Sequence, residues 1–366
     1  MHTFEITRRI TPSAYCYLCK NLPNLSTVND FVKRTNYYSA KGITQIELKI
    51  HQYRKCGVLI ERYYLTLRCN PSIIMGDSKY LLINMDIYTT DEIMKRIIKR
   101  IYEINEFRYI HLHMYPITDF KTSRADIAID IMTQNPEIII WICNMSFPYK
   151  HLQMTPAHIN KSKDILYYES CCFSNESRGF NIYFKWAGIL NSNKQNNVPV
   201  KELIQLKHTV RIELQLKKNY IKYIASKLPA KRSIESFLKK EFCNALIKDE
   251  IDSVFGSLKY VCRSKATKII NMSSYKPYQK AVMISIVDMI QNLNGIYTLE
   301  EAIYNDKIIT PSHYGNLRSF RECWISKFKT LGISPVVLPD TLGIEEIPSI
   351  STLLTQNNLD NTKSIS

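Results

Sequence analysis

The 366-residue sequence contains no uninterrupted apolar run of the ~18 residues from which a membrane-spanning helix is recognised. The first ten residues include Arg8 and Arg9 and are followed by no apolar core, so no signal peptide is expected. The ten cysteines are scattered, and Cys16 and Cys19 lack the second pair that a zinc ribbon needs. These absences predict a reduced, cytoplasmic protein without a membrane partner.

Nucleotide-binding fingerprints are also absent, because the sequence has neither a P-loop nor a Gly-x-Gly-x-x-Gly motif. Acidic residues are few relative to basic ones. The chain carries 33 Asp and Glu against 49 Lys and Arg, which gives a formal net charge of +16. A surface this basic attracts polyanions, so nucleic acid is the predicted partner. The alternative is a basic protein without a polyanionic partner.

The segment from Arg124 to Ile131 alternates strictly between polar and apolar positions. Arg124, Asp126 and Asp130 lie on one side, and the larger apolar residues lie on the other. This period of two predicts a strand with one buried face and one open face. Like charges on one face raise each other's pKa unless a cation lies between them. The strand therefore predicts a cation or metal as its partner.

Three further segments alternate in the same way and are predicted to be strands. Their polar positions are His111 and His113; Asn181, Tyr183 and Lys185; and Arg211, Glu213 and Gln215. If all four strands belong to one sheet, these side chains share a polar face opposite a face that packs on helices. The alternative is a half-exposed antiparallel sheet whose outer face is simply polar.

The side chains predicted to share this face suit metal-assisted phosphoryl transfer. Histidine and carboxylate ligands favour a hard or borderline divalent ion, so Mg²⁺ or Mn²⁺ is the expected cofactor. The predicted metal ligands are Asp126, Glu213, His111 and His113. Arg124, a predicted catalytic residue, or Arg211, a predicted DNA-binding residue, would hold a neighbouring phosphate of DNA.

Tyr183 is the predicted nucleophile. A free phenol has a pKa of about 10, and Lys185 on the same face would lower that pKa or stabilise the leaving oxygen. Tyr168 is the main rival nucleophile and Tyr167 a lesser one. The structural alternative for Tyr183 is an ordinary cross-strand packing residue.

The chain is predicted to contain three parts. Residues 1–228 alternate strands and helices, which indicates an α+β domain with an antiparallel sheet and helices on one face. The family resemblance described below assigns DNA nicking and origin binding to this domain. Within this part, residues 1–40 are predicted to be irregular and residues 81–85 to form a short strand. Residues 229–339 are predicted to be mostly helical. Residues 340–366 are polar and acidic, which predicts a flexible tail.

The last predicted helix, Pro311 to Leu331, carries Arg318 and Arg321 near its start. These two side chains are predicted to bind DNA as part of a recognition helix in a groove. The alternative is an amphipathic packing helix whose basic residues are simply exposed. The sequence leaves open whether this helical part reads DNA or recruits a helicase.

Three motifs resemble, in order and spacing, those of the replication initiation factors of plasmids and filamentous phages. The matching segments are RADIAIDI (124–131), IYFK (182–185) and VRIELQLKK (210–218). The family's motifs run R-(L/I)-D-hydrophobe-(A/T)-x-D, I-Y-(D/E)-K and (L/V)-R-(F/I/V)-E-(L/V)-(Q/R). The resemblance covers roughly residues 45–225, and NPSIIMG (70–76) and LGISPVVLP (331–339) also look like segments of uncharacterised relatives of that group.

The resemblance implies a rolling-circle replication initiator of the His-hydrophobe-His endonuclease type. Such proteins nick one strand at an origin through a tyrosine, use a divalent metal and leave a 3′-hydroxyl primer. By motif position, Asp126 and Glu213 match the family's acidic residues, and Tyr183 and Lys185 match its Tyr and Lys.

The sequence departs from the family pattern at three places. Phe184 stands where the family usually has an acid, and the glutamate expected a few residues after the lysine is missing around residues 188–191. His111 and His113 precede the Arg124 strand, so they would ligate a metal from a neighbouring strand.

Together these features predict a metal-dependent, site-specific single-strand endonuclease and strand transferase that forms a phosphotyrosine link at a plasmid or phage origin. The expected partner is origin DNA, single-stranded or cruciform, with a host helicase as a further candidate. The first alternative is a non-catalytic, sequence-specific DNA-binding replication protein or regulator. The second is a structural interaction protein whose surface is incidentally basic.

Overall fold

A computed structural model of the protein describes residues 1–148, 155–159, 169–191, 198–227, 232–305 and 316–355. It mixes helices and strands and contains a large antiparallel sheet, which confirms the predicted α+β class. In these residue ranges no helix is both long and apolar enough to cross a membrane.

The strands and helices are numbered in chain order. The strands are β1 (Thr3–Ile10), β2 (Ser26–Asn29), β3 (Val32–Thr35), β4 (Ile43–Lys55), β5 (Val58–Cys69), β6 (Lys121–Met132), β7 (Thr155–Ile159), β8 (Ser170–Ser174), β9 (Arg178–Phe184), β10 (Thr209–Lys217), β11 (Tyr260–Val261) and β12 (Glu346–Ile347). The helices are α1 (Pro12–Asn21), α2 (Pro71–Met75), α3 (Thr90–Tyr102), α4 (Asn105–Arg108), α5 (His111–Met114), α6 (Pro136–Ser146), α7 (Lys185–Asn191), α8 (Val200–Lys207), α9 (Lys218–Lys227), α10 (Ile234–Phe237), α11 (Lys240–Phe255), α12 (Arg263–Met272), α13 (Pro277–Asn292), α14 (Ile296–Tyr304), α15 (Leu317–Ser319) and α16 (Ser326–Thr330).

The chain divides into two compact units, each built from separate stretches of sequence. The first unit holds Met1–Ile129, Asn175–Phe180 and Glu213–Ile247, and the second holds Asp130–Ser174, Asn181–Ile212 and Lys248–Ser366. Both units are therefore discontinuous in the sequence. The proposed functional boundaries at residues 228 and 339 stay a prediction.

In the first unit the strands follow the order β2-β3-β4-β5-β1-β6-β10. β1 pairs antiparallel with β5 on one side and with β6 on the other, so Glu5 stands opposite both Arg68 and Arg124. Its apolar positions, Phe4 and Ile6, are fully buried. The prediction that residues 1–40 are irregular is wrong, because β1, α1, β2 and β3 form there. The alternation that marks β1 is short and ends in two consecutive arginines, which hid it in the sequence.

Helix α3 begins directly after Thr89, whose side chain caps it. The Thr89 side chain accepts a hydrogen bond from the Glu92 amide, and the Glu92 carboxylate accepts one from the Thr89 amide at 2.8 Å. This reciprocal pair satisfies amides that the first helical turn leaves without partners. Residues 81–85, by contrast, form irregular turns rather than the predicted strand. Here the Asn84 side chain accepts a hydrogen bond from the Asp86 amide and favours a turn.

The segment around His111 and His113 is helical, so the prediction of a strand there is wrong. Ile110 and Met114 are buried, whereas Leu112 is 75% exposed. Residues four apart share a helix face, and the residue between them faces away. A segment of five alternating residues fits one helical turn as well as a strand, because the first and fifth residues lie on the same face in either structure.

In the second unit β9, β8 and β7 are neighbours in the sheet, and β7 pairs antiparallel with β8. The apolar segment that begins at Pro136 is helix α6 and is buried almost throughout. Lys185 begins helix α7 immediately after β9 ends at Phe184, so it does not continue the strand as predicted.

Residues 340–355 are packed, which contradicts the flexible tail predicted for this stretch. β12 pairs with β11, placing Ile347 opposite Tyr260. Ile350 and Leu354 are buried on the helical turn that follows. These apolar residues are spaced among polar ones, so average composition hid them. The remainder of the predicted tail, residues 356–366, lies outside the described residues.

Gly42 has a left-handed backbone that a side chain would disrupt. Its φ is +88°, and a Cβ there would lie 2.5 Å from Ile74 Cγ1. We expect Gly42→Ala to lower the free energy of unfolding by about 3 kcal/mol, from backbone strain and overpacking together. Gly57 also has a positive φ, but its Cβ would meet no atom within 4 Å. Gly57→Ala should therefore cost only about 1 kcal/mol, and equal losses in urea unfolding would refute the steric account.

Candidate catalytic carboxylate site

Two acids from separate segments approach one arginine in the first unit. Asp126 lies on β6 and Glu213 on the neighbouring strand β10. Arg124 Nε donates a hydrogen bond to Asp126 Oδ1 at 2.8 Å, and the Glu213 charge also acts on this guanidinium. Asp126 and Glu213, on neighbouring strands, thus both act on Arg124, and their predicted sharing of one metal ion stays a prediction. We call Arg124, Asp126 and Glu213 the carboxylate site.

The carboxylate site is nearly buried rather than open. Asp126 is 3% exposed and Glu213 is 5% exposed. A buried carboxylate is costly unless it is paired and hydrogen-bonded. The hydrogen-bond and ion-pair partners of Asp126 and Glu213 therefore determine whether each carboxylate can remain negatively charged.

Asp126 is held from β1 as well as by Arg124. Thr3 stands opposite Asp126 in the antiparallel pair, and the Thr3 hydroxyl donates to Asp126 Oδ2. The His2 amide donates to the Asp126 carbonyl at 2.8 Å. The carboxylate thus has a hydrogen-bond donor at each oxygen, which fixes its orientation.

Glu213 is held by an imidazole. His2 Nδ1 lies 3.0 Å from Glu213 Oε1. When Nδ1 carries a proton, it donates to the carboxylate and leaves Nε2 on the far side of the ring. The first residues of the chain therefore position both acids.

Arg124 lies in a strongly negative setting. Burial lowers its pKa, but the hydrogen bond to Asp126 and the charges of Asp126, Glu5 and Glu213 outweigh burial, so the pKa is raised above its ordinary value. Glu5 is itself paired with Arg68, whose Nη2 lies 2.7 Å from Glu5 Oε1. Three carboxylates thus surround a guanidinium that stays charged at any physiological pH.

His111 and His113 are located on α5, where the contacts are of another kind. His113 Nε2 lies 3.2 Å from the Thr11 hydroxyl, and burial together with the Arg8 charge lowers the pKa of His113. His111 is exposed. Across the described ranges, no group of three or more His, Cys, Asp or Glu side chains is arranged to hold a metal. The predicted four-ligand set is therefore not assembled there.

Tyr183 and Lys185 lie together in the second unit. Lys185 Nζ is 6.0 Å from the centre of the Tyr183 ring, and Lys185 is buried while Tyr183 is half-buried. A lysine ammonium at this distance from the centre of a tyrosine ring is attracted to the face of the ring. The predicted pairing is present, although it is made at a strand–helix junction rather than along one strand face. Tyr167 and Tyr168 lie outside the described residues.

Arg211 is not available to DNA, which contradicts its predicted role. It is fully buried, and its Nε and Nη2 atoms donate to the two Asp130 carboxylate oxygens at 2.6 and 2.7 Å. A two-pronged pair of this kind is strong and directional. Arg211 would have to break it and leave the interior to reach a phosphate.

The two arginines predicted to lie on a recognition helix differ in exposure. Arg318 is exposed and pairs with Glu322 one turn away at 2.8 Å. Arg321 donates through two nitrogens to Glu300, which is buried. Arg321 therefore anchors this segment to Glu300 while its side chain remains 29% exposed, and the DNA contacts of Arg318 and Arg321 stay predictions. The segment is helical without interruption from Leu317 to Thr330, with a π-helical stretch, Phe320–Ile325, between α15 and α16.

Sequence reasoning missed His2, Thr3 and Glu5. The signal that could have found them is the alternation of Thr3, Glu5 and Thr7 against two apolar residues. His2 gave no signal of its own, since its contact with Glu213 depends on strand pairing.

The carboxylate site thus joins residues from two separate stretches of the first unit's sequence. The chain matches no protein-family model, no curated protein and no solved structure.

Proposed function

We propose that this protein is a rolling-circle replication initiator that nicks one DNA strand and holds it through a phosphotyrosine bond. The observation that carries the proposal is the meeting of Asp126 and Glu213, two nearly buried acids from distant segments, at Arg124. Clusters of buried charged groups are typical of functional sites. Phosphoryl transfer uses such carboxylates to hold a metal ion beside the phosphate. The antiparallel sheet would then be the scaffold of a nuclease-like domain.

A divalent cation fits the donors of this site in one specific way. Magnesium commonly takes one or two protein carboxylates and completes its shell with water and substrate phosphate oxygens. Asp126 and Glu213 provide such a two-carboxylate set. These two residues would hold Mg²⁺ or Mn²⁺, which supplies neutralisation of the charge that develops on the phosphate.

The neighbouring residues would position the acids and the substrate. Thr3 and His2 orient Asp126 and Glu213, as residues behind metal ligands commonly do. Arg124 holds Asp126 through Nε while its side chain remains 26% exposed. The outer end of the guanidinium can therefore donate to a phosphate of bound DNA.

The covalent step in this proposal is an exchange of two phosphorus–oxygen bonds. A tyrosine oxygen forms a bond to the phosphorus, and the bond to the 3′ oxygen of the preceding nucleotide breaks. The proton lost by the phenol balances the one gained by the released 3′-hydroxyl. Tyr183 is the first candidate because Lys185 lies over its ring, and Tyr168 is the second.

A non-catalytic DNA-binding replication protein is the second candidate function. The observation that favours it is the direct Arg124–Asp126 pair, which already neutralises one acid without a metal. In that case Arg124 is the resident cation of the site. The two functions differ in whether DNA is cut.

The proposed chemistry is tested by trapping the protein–DNA bond. The purified chain would be incubated with Mn²⁺ and supercoiled plasmids that carry candidate origin segments, then denatured and probed for nicked DNA and a covalent adduct. Tyr183→Phe should abolish the adduct and leave DNA binding intact. Tyr109→Phe, at an exposed tyrosine, is the matched control and should form the adduct normally.

The outcomes separate the candidates. Loss of the adduct in Tyr168→Phe but not in Tyr183→Phe would move the nucleophile to Tyr168. If the unmodified chain forms neither nicks nor adducts on any candidate origin, the enzyme proposal is refuted and the binding protein remains.

A further inference from the structure

The hairpin of β4 and β5 extends beyond the rest of the sheet. β3 pairs with β4 only as far as Lys49, and β1 pairs with β5 only from Tyr63 onward. β4 and β5 continue to pair with each other from His51 opposite Arg62 to Lys55 opposite Val58. Five residue pairs thus form a two-stranded extension, about 17 Å long at the usual rise per residue. We call residues 51–62 the ribbon.

The ribbon closes in a tight turn with an apolar tip. Cys56 and Gly57 have φ values of 50° and 78°. Two consecutive positive φ values mark the turn type whose twist suits a two-residue hairpin. Val58 and Leu59, just after the turn, are 63% and 55% exposed. An exposed ribbon with such a tip is usually stabilised by a partner, because an isolated hairpin is only marginally stable.

The two faces of the ribbon differ in charge. Cross-strand partners share a face, so one face carries His51, Tyr53, Lys55, Val58, Ile60 and Arg62. None of these six residues is acidic, and we call this the basic face. The opposite face carries Arg54 and Glu61, whose charges offset each other. Lys49 continues the basic face at the base of the ribbon, two residues before His51.

Contacts on the ribbon hold its shape. On the basic face the Arg62 guanidinium lies 4.6 Å from the centre of the Tyr53 ring. On the opposite face Gln52 donates to Glu61 at 2.7 Å. The Tyr53 ring is covered on one side by Arg62, which makes it a poor stacking platform for an unpaired base.

Helix α9 extends the positive charge from the base of the ribbon. Its sequence, Lys218–Lys227, contains lysines and tyrosines but no acid. Burial lowers the pKa of Lys218, and the charges of Lys222, Arg232 and Lys49 lower it further. In the part of the chain that the structure describes, none of Lys49, Lys218 and Lys222 makes an ion pair. These like charges repel one another, and a polyanion would relieve the repulsion.

We propose that the basic face of the ribbon and helix α9 together bind duplex DNA, with the ribbon in the major groove and Lys49, Lys218 and Lys222 on the phosphates. The major groove admits a two-stranded ribbon, whereas the minor groove is too narrow. This inference deepens the proposed function, on which it rests, by assigning the double-stranded part of an origin to a surface other than the carboxylate site.

Fluorescence anisotropy without divalent metal tests the surface directly. Affinities for a short duplex and for the single strand of the same sequence would be measured across a salt series. Lys55→Gln, Lys218→Gln and Lys222→Gln combined should weaken duplex binding about tenfold or more and lower the salt dependence by two to three phosphate contacts, roughly one per lysine. Lys55→Gln alone removes one positive charge from the basic face, and Arg54→Gln removes one from the opposite face. Arg54→Gln is therefore the matched control for Lys55→Gln and should bind the duplex more tightly than that variant.

Three results would overturn the inference. If Lys55→Gln and Arg54→Gln weaken binding equally, only net charge matters and the ribbon has no binding face. If the triple variant loses the single strand and keeps the duplex, single-stranded DNA is the ligand. If the unmodified chain binds vesicles of anionic lipid and no DNA, the surface serves a membrane. The binding assay requires no cleavage. If the chain never nicks DNA but binds duplex DNA through the ribbon, the proposed nicking function is refuted and the inference about the ribbon stands.

Discussion

Asp126→Asn and Glu213→Gln are each expected to lower the rate of DNA nicking by about 100- to 1,000-fold, the usual effect of removing one preorganised electrostatic group from an active site. Each substitution keeps the size of the side chain and removes its negative charge. The amide oxygen that replaces the Asp126 carboxylate could still accept the Thr3 hydrogen bond, so local structure should be preserved. Affinity for duplex DNA, measured in parallel, should stay close to that of the unmodified chain.

A matched control for these substitutions is Asp119→Asn. Asp119 is an exposed acid of the same unit and pairs with Arg8 at 2.9 Å. Its replacement removes the same charge from outside the carboxylate site and should leave nicking unchanged. Thr3→Val should have an intermediate effect, about 10- to 100-fold, because Thr3 acts through Asp126. Normal nicking by both acid variants would show that the site is structural.

Arg211→Met is expected to lower the free energy of unfolding by about 3 kcal/mol, at the lower end of the cost of removing one partner from a buried ion pair. The cost arises because Asp130 loses both of its guanidinium hydrogen bonds. The side chain of Asp130 is 18% exposed, so water compensates part of the loss. Urea unfolding at neutral pH measures the change.

Two further variants identify the cause. The double variant Arg211→Met with Asp130→Leu removes both charges, so much of the lost stability should return. Arg318→Met removes an exposed arginine and should change stability by less than about 0.5 kcal/mol. If Arg211→Met is as stable as the unmodified chain and instead loses DNA affinity, Arg211 is a DNA contact after all.

Several elements could be predicted because their signals are local. The isoleucines of α3 recur at helical spacing behind a Thr89 cap, and the sequence of β6 alternates from Arg124 to Ile131. A long segment repeats its hydrophobic period many times, so a few exceptions do not obscure the type of element it forms. The five residues around His111 contain only two repeats of the polar–apolar alternation, which is why a helical turn there resembled a strand.

The roles of the arginines could not be predicted, since each depends on a residue that pairs with it across space. Arg124, Arg211 and Arg321 look alike in the sequence. Arg124 meets Asp126 at a partly exposed position, Arg211 is buried against Asp130, and Arg321 is taken up by Glu300. The three arginines differ in the acid that each one pairs with and in how deeply each side chain is buried. Neither property is determined by the neighbouring residues in the sequence.

The sequence by itself determined the basic charge, the long periodic strands and helices, and the placing of polar residues at alternate positions of β6 and β10. Tertiary structure alone decided that β1 lies beside β6, and so that His2 and Thr3 hold the two acids. It also decided that β4 and β5 extend past their neighbours. Periodicity is a property of a residue and those next to it, whereas strand order and strand length relative to a neighbour depend on residues far away in the chain.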